Sequence, residues 1–119
     1  MPKTILVVDD DLVVDKVLES RLKKKGFKVV VSIDGEGALK RLEQIIPDLI
    51  ILDIQMPNMN GYTFLLELRK IKKFDQVPII VLTSHDEMEP IFKRNGVKDY
   101  VLKPLNFDAL FKKMNALGL

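Results

Sequence analysis

The stretch that decides the fold is Ile5-Leu6-Val7-Val8-Asp9-Asp10-Asp11. Four aliphatic residues, three of them β-branched, suit a buried strand, and three carboxylates follow without a break. Adjacent carboxylates repel one another, so a chain in need of solubility alone would scatter them. From the stretch by itself two readings are open. It is an acidic turn that favours the start of the next helix, or it supplies oxygen ligands to a divalent cation.

Working outward, the first apolar run covers Thr4–Val8, and four more follow at Lys28–Ser32, Leu49–Asp53, Ile79–Thr83 and Tyr100–Leu102. The first, third and fourth are nearly continuous in Val, Ile and Leu, as expected of strands covered on both faces in a parallel sheet. The second and fifth are weaker and are expected at the sheet edges. Between the runs the periodicity turns helical. Leu12 to Lys25 places Leu12, Val14, Val17, Leu18 and Leu22 largely on one face, with Gly26 as a stop. Glu36 to Ile46 repeats the pattern with Leu39, Leu42, Ile45 and Ile46 and closes at Pro47. Gly61 to Lys70 offers Phe64, Leu65 and Leu68, and Asn106 to Leu117 offers Phe107, Leu110, Phe111 and Met114 behind an Asn106 cap. From Asp86 to Asn95, Pro90 suits a first turn and leaves only a short helix before Gly96. Strand and helix alternate five times, which predicts an α/β fold with a parallel sheet and right-handed crossovers.

The composition narrows the function classes. With 119 residues the chain is expected to form one domain, residues 1–119, and 47% hydrophobic against 30% charged residues excludes a disordered chain. It contains 0 Cys, so it has neither a disulfide framework nor a thiolate metal site. No apolar run approaches the length of a membrane span, and Met1-Pro2-Lys3-Thr4 leads into a strand without a signal-peptide pattern, so a cytoplasmic location is expected. A net charge of +2 is too mild to argue for nucleic acid. The lysines gather at Lys23-Lys24-Lys25, at Lys70 with Lys72-Lys73, and at Lys112-Lys113, where cations suit helix ends.

In open α/β sheets a ligand binds beyond the carboxyl ends of the strands. The first strand ends in Asp9-Asp10-Asp11, the third in Asp53, the fourth in Thr83-Ser84 and the fifth in Lys103-Pro104. The second ends in Ser32-Ile33, with nothing ionisable. Carboxylates, a hydroxyl and one ammonium converging on one edge suit a phosphoryl group with Mg²⁺. Lysine offers a point charge to one phosphate oxygen and threonine a hydroxyl to another. Taken singly, Asp53 could be a cap, Thr83 a β-former and Lys103 a surface charge.

ILVVDDD, DLIILDIQMPNMNG, PIIVLTS and DYVLKP, in that order and strand context, resemble a response-regulator receiver domain over essentially the full length. Among such domains the chain is most similar to the stand-alone chemotaxis-type or sporulation-type regulators. The resemblance implies a flavodoxin-like, doubly wound five-stranded sheet of strand order 2-1-3-4-5. It implies that Asp53 is the phosphoacceptor for a histidine kinase's phosphohistidine, with Asp10 on Mg²⁺ directly, Asp9 directly or through water, and the main-chain carbonyl of Gln55 completing the protein's share. Thr83 would bond a phosphoryl oxygen, and Lys103 would pair with the phosphoryl group or, before phosphorylation, with Asp53. Tyr100 would turn inward as Thr83 moves; its plainer reading is a packing aromatic on an edge strand. A cis bond before Pro104 is implied, aiming Lys103 into the site, and Asp11 is expected at the helix start. Met56-Pro57 and Asn60-Gly61 are expected to shape the loop beneath Asp53.

The family often has Asp where Asn60 stands, and SHDEMEPIFKRNGVKD is shorter than the family's usual stretch, so the fourth helix is expected to be short or displaced. Gln55 and His85, each two residues past Asp53 and Thr83, are expected to tune phosphoryl lifetime, and the small Ser84 to keep the phosphoryl path open. Implied partners are a histidine kinase or phosphotransfer protein and a downstream protein effector meeting the fourth helix, fifth strand and fifth helix. No direct nucleic-acid contact and no membrane are expected, and the chain would act as a monomer or a phosphorylation-dependent dimer. No effector region is expected after Leu119, so output is expected through protein contacts, the alternative being that the chain is a fragment of something longer. Self-phosphorylation and self-dephosphorylation are the only catalysis expected, so the chain is read as a signalling phosphoacceptor and not an enzyme.

Rival readings fit less well. A phosphohydrolase of the haloacid-dehalogenase type would carry a second Asp where Gln55 stands. A flavodoxin would show a Ser/Thr/Gly-rich loop in place of DDDLVVD. A receiver-like module that has lost phosphorylation would lack one of Asp10, Asp53, Thr83 or Lys103. An EF-hand needs a Gly at the sixth position of an Asp-rich loop.

Overall fold

A computed structural model describes residues 2–56 and 59–119. The chain runs β1 (Thr4–Val8), α1 (Leu12–Lys24), β2 (Lys28–Ser32), α2 (Gly35–Leu42), β3 (Leu49–Asp53), α3 (Gly61–Arg69), β4 (Ile79–Thr83), α4 (Pro90–Arg94), β5 (Asp99–Leu102) and α5 (Phe107–Ala116). The five strands form one parallel sheet in the order β2-β1-β3-β4-β5, so the two weaker runs do stand at the edges. A short 3-10 turn over Lys72–Phe74, not anticipated from the periodicity, leads into β4.

Each strand sends alternate side chains to opposite layers. Leu6, Val8, Ile50, Leu52, Ile79 and Val81 meet Leu42, Phe64, Leu65 and Phe92 from α2, α3 and α4. Ile5, Val7, Leu49, Ile51, Ile80 and Leu82 meet Leu18, Leu22, Leu110 and Met114 from α1 and α5. Burial on both faces is why the central strands read as unbroken aliphatic runs. Among the described residues, no helix is long and apolar enough to cross a membrane.

Caps begin the helices where the sequence supplies them. Asp11 accepts from the Val13 and Val14 amides at 3.0 and 3.2 Å, and Asn106 from the Ala109 amide at 3.0 Å. Gly26 and Gly96 follow α1 and α4 with φ of 94° and 69°, the left-handed conformation that glycine tolerates best.

Two helices differ from expectation. In α1 the buried stripe is Asp15, Leu18 and Leu22 with Val14 half-buried, while Leu12 and Val17 are exposed. The Asp11 cap and the covalent link to β1 set the helix phase, and apolar identity does not. The second helix ends at Leu42, well before Ile46, because the chain must extend to hand the Asp48 amide to Thr4 O at 2.8 Å, and Pro47 disfavours helix at the residue before it. Ile46 is left exposed. The fourth helix is short, as its Pro90 and its neighbours indicate.

Candidate functional site

The register pairs Val8 with Ser32 and Leu52, Asp53 with Leu82, and Thr83 with Leu102, so all five carboxyl ends share one edge. The close packing there has a local cause at Gly61. Its amide donates to Ile54 O at 2.9 Å, and a Cβ on it would stand 2.5 Å from Ile54 Cα and 2.7 Å from Asp53 O. Only glycine lets α3 start against the end of β3. Asn60 caps α3 by accepting from the Thr63 amide at 2.9 Å, so the Asn60-Gly61 pair does shape the Asp53 loop. Pro57, the other half of that expectation, lies outside the described residues.

Asp53 is 2% exposed, and its Oδ1 accepts from Lys103 Nζ at 2.5 Å and from the Gln55 amide at 3.1 Å. The Lys103–Pro104 bond is cis, as expected. Asp9, also 2% exposed, accepts from the Asp11 amide at 2.9 Å through Oδ1. Carboxylate oxygens of Asp9, Asp10 and Asp53 come within 4.8 Å of one another. Burial pushes the Asp9 carboxyl up to about 6, with neighbouring Asp53 adding to the rise while the Asp11 amide and Lys103 oppose it. Three carboxylates facing one ammonium leave negative charge in excess. All-oxygen donors with two buried members fit a hard divalent cation such as Mg²⁺.

Asp10, Gln55, Thr83 and His85 line a cleft of about 600 Å³ beside this cluster, together with Ile54, Met56, Asn60 and Tyr62. Thr83 is buried, and its Oγ1 accepts from the His85 amide at 3.1 Å. Ser84 is exposed at the start of the same loop. Tyr100 does not line the cleft: its hydroxyl donates to Asp86 Oδ1 at 2.7 Å, and Lys113 Nζ lies 4.8 Å from its ring centroid.

Sequence reasoning missed two residues. Tyr62 is brought to the cleft by the tight Gly61 approach, and the signal was its position directly after that glycine. Asp15 is 4% exposed, and neither carboxylate oxygen has a hydrogen-bond partner among the described residues. Burial, then the nearby charges of Asp9, Asp11, Asp10 and Asp53, raise it to about 7. An acid one turn after the Asp11 cap, in phase with Leu18 and Leu22, was the signal there.

Comparison with known proteins agrees with this arrangement. The family described as Response regulator receiver domain matches residues 5–115. The chain is 39% identical over 115 residues to a probable transcriptional regulator, ycf27, of Guillardia theta, covering 95% of this chain and 44% of that protein. It spans about half the length of the curated relatives it matches. Among solved structures it resembles the chemotaxis response regulator CheY4 of Vibrio cholerae, with a TM-score of 0.91 at 27% identity over 98% of both chains. It also resembles the response regulator TrrA of Thermotoga maritima in complex with Mg²⁺-BeF, with a TM-score of 0.83 at 37% identity over 97% of this chain and 98% of that one. A match of this extent, on a sheet whose carboxyl edge gathers these acids, hydroxyl and lysine, makes the chain a member of the response regulator receiver domain family of two-component systems.

Proposed function

We propose that Asp53 accepts a phosphoryl group from the phosphohistidine of a histidine kinase or phosphotransfer protein, and that the modified chain signals to a protein effector. The observation that carries this reading is the buried Asp53 carboxylate held by Lys103 within reach of Asp9 and Asp10. An Asp53 oxygen forms the new bond to phosphorus as the phosphorus–nitrogen bond of the donor breaks, and the leaving imidazole takes up a proton. Carboxylate is a weak nucleophile, but a loose transition state asks chiefly for alignment and charge neutralisation. The Gln55 amide and Lys103 orient Asp53. Lys103 can turn from Asp53 to the arriving phosphoryl oxygens, and Thr83 can donate its hydroxyl to another. Mg²⁺, held by Asp9, Asp10, Asp53 and the Gln55 carbonyl, would screen charge on the transferred group.

His85 and Gln55, on the cleft wall, would set the access of a hydrolytic water, and exposed Ser84 would leave the path open. The effector surface on this reading is the face of α4, β5 and α5, where Leu102 is exposed and Tyr100 would exchange Asp86 for an inward position. The role is that of a cytoplasmic phosphoacceptor and not of a turnover enzyme.

The test is intact-protein mass spectrometry after incubation with acetyl phosphate. Wild type gains one phosphoryl group with Mg²⁺ and none with EDTA, and Asp53→Asn gains none under either condition. Equal labelling of wild type and Asp53→Asn would remove the reading.

A further inference from the structure

The loop from Ser84 to Glu89 joins Thr83 to α4 without regular structure. It carries Asp86, Glu87 and Glu89, and no lysine or arginine occurs between Thr83 and Lys93. Its far end is fastened across the cleft by Tyr62. The Tyr62 hydroxyl, in the first turn of α3, donates to the Glu89 carboxylate, with 3.1 and 3.0 Å to its two oxygens. The Tyr62 ring stacks on Phe92 of α4 with centroids 5.8 Å apart and planes 14° from parallel. Glu89 occupies the cap position of α4, yet its side chain makes no cap bond there. Burial, then the bond to Glu89, raises the Tyr62 phenol above its ordinary value, so it stays a proton donor at neutral pH.

We propose, on the phosphoacceptor reading above, that Tyr62 is a positioning residue. Through Glu89 it holds the acidic 84–89 loop beside the cleft, and this bond opposes entry of a phosphoryl group. The loop's near end is tied to the same event, because Thr83 Oγ1 accepts from the His85 amide, so hydroxyl and loop move together. A phosphoryl group brings about −1.5 to −2 charges to the cleft. The Glu89 carboxylate, held on Tyr62 at the cleft wall, repels it, and releasing the Tyr62–Glu89 bond lets this end of the loop withdraw. The link therefore sets how much donor chemistry is needed before the site fills.

The test uses beryllofluoride with Mg²⁺ as the phosphoryl mimic, its affinity for the full chain measured by calorimetry. Tyr62→Phe keeps the ring on Phe92 and removes only the hydroxyl; it binds about 3- to 10-fold tighter than wild type. Glu89→Ala also binds tighter, and its gain is smaller in the Tyr62→Phe background than in wild type, because both act through one bond. General damage to the site would weaken binding instead. Unchanged or weaker binding by Tyr62→Phe, or equal Glu89→Ala gains in both backgrounds, overturns the inference. Wild type that binds no beryllofluoride overturns the phosphoacceptor reading and this inference with it; binding by wild type with an unmoved Tyr62→Phe overturns the inference alone.

Discussion

Three consecutive aspartates have separate work. Asp9 and Asp10 face Asp53 across the strand ends, while Asp11 turns its oxygen to the first amides of α1. A fourth acid, Asp15, has no such partner. Unpaired buried polar groups cost on the order of 1–3 kcal/mol, and here the penalty belongs to the charged form. The folded state raises the Asp15 pKa from 3.8 to about 7, so it binds the proton more tightly than the unfolded state does. Stability from this group is full below the unfolded value and is lost as pH rises towards 7. Asp15→Asn is therefore expected to raise the urea midpoint clearly at about pH 8 and little at about pH 4. A larger gain at the acid end would show that the Asp15 charge is not what destabilises the fold.

At the scale of elements, one side chain joins three segments. Arg69, in the last turn of α3, donates to Phe74 O and Asn95 O at 2.7 Å each, to Val77 O at 3.1 Å, to Asp75 O at 3.2 Å and to Gly96 O at 3.4 Å. It thereby fastens the end of α3 to the approach of β4 and to the turn after α4. Five-residue α4 has too few internal bonds to hold itself, and it depends on this clamp at its end and on Tyr62 at its start. Arg69→Ala is expected to lower stability by about 2–4 kcal/mol in denaturant unfolding. Arg69→Lys recovers little, because one ammonium cannot replace a planar fork spread over five carbonyls. Full recovery by lysine would argue that charge alone matters.

For the whole molecule, the site and the fold share one account of charge. Asp9 and Asp15 both have folded pKa values above the ordinary 3.8, at about 6 and about 7. Both therefore destabilise the fold increasingly as pH rises through that window. In EDTA the melting midpoint is expected to fall between about pH 5 and about pH 8. Mg²⁺ at the alkaline end is expected to restore most of the loss in wild type, since a ligand of the native state stabilises it by mass action. A midpoint that rises with pH in EDTA, or one indifferent to Mg²⁺, would contradict this account of the acidic edge.

Local physics made much of this legible in the residues. Unbroken aliphatic runs, caps such as Asp11 and Asn106, and stops such as Gly26 depend on neighbours a few positions away. Strand positions, their alternation with helices and the acids, hydroxyl and lysine at the strand ends followed from them. The phase of α1 did not, because it is set by how the chain leaves β1 and returns over the sheet; so Asp15 entered the core while Leu12 and Val17 faced solvent. Nor could the end of α2 be read from its apolar pattern, since the need to reach β3 overrode it. The ILVVDDD stretch by itself determined a buried strand ending in charge, through the chemistry of its own side chains. That Asp9 and Asp10 meet Asp53, that Lys103 reaches Asp53, and that Tyr62 holds Glu89 were decided only by the tertiary structure, because each pairs residues distant in sequence that only the folded sheet brings together.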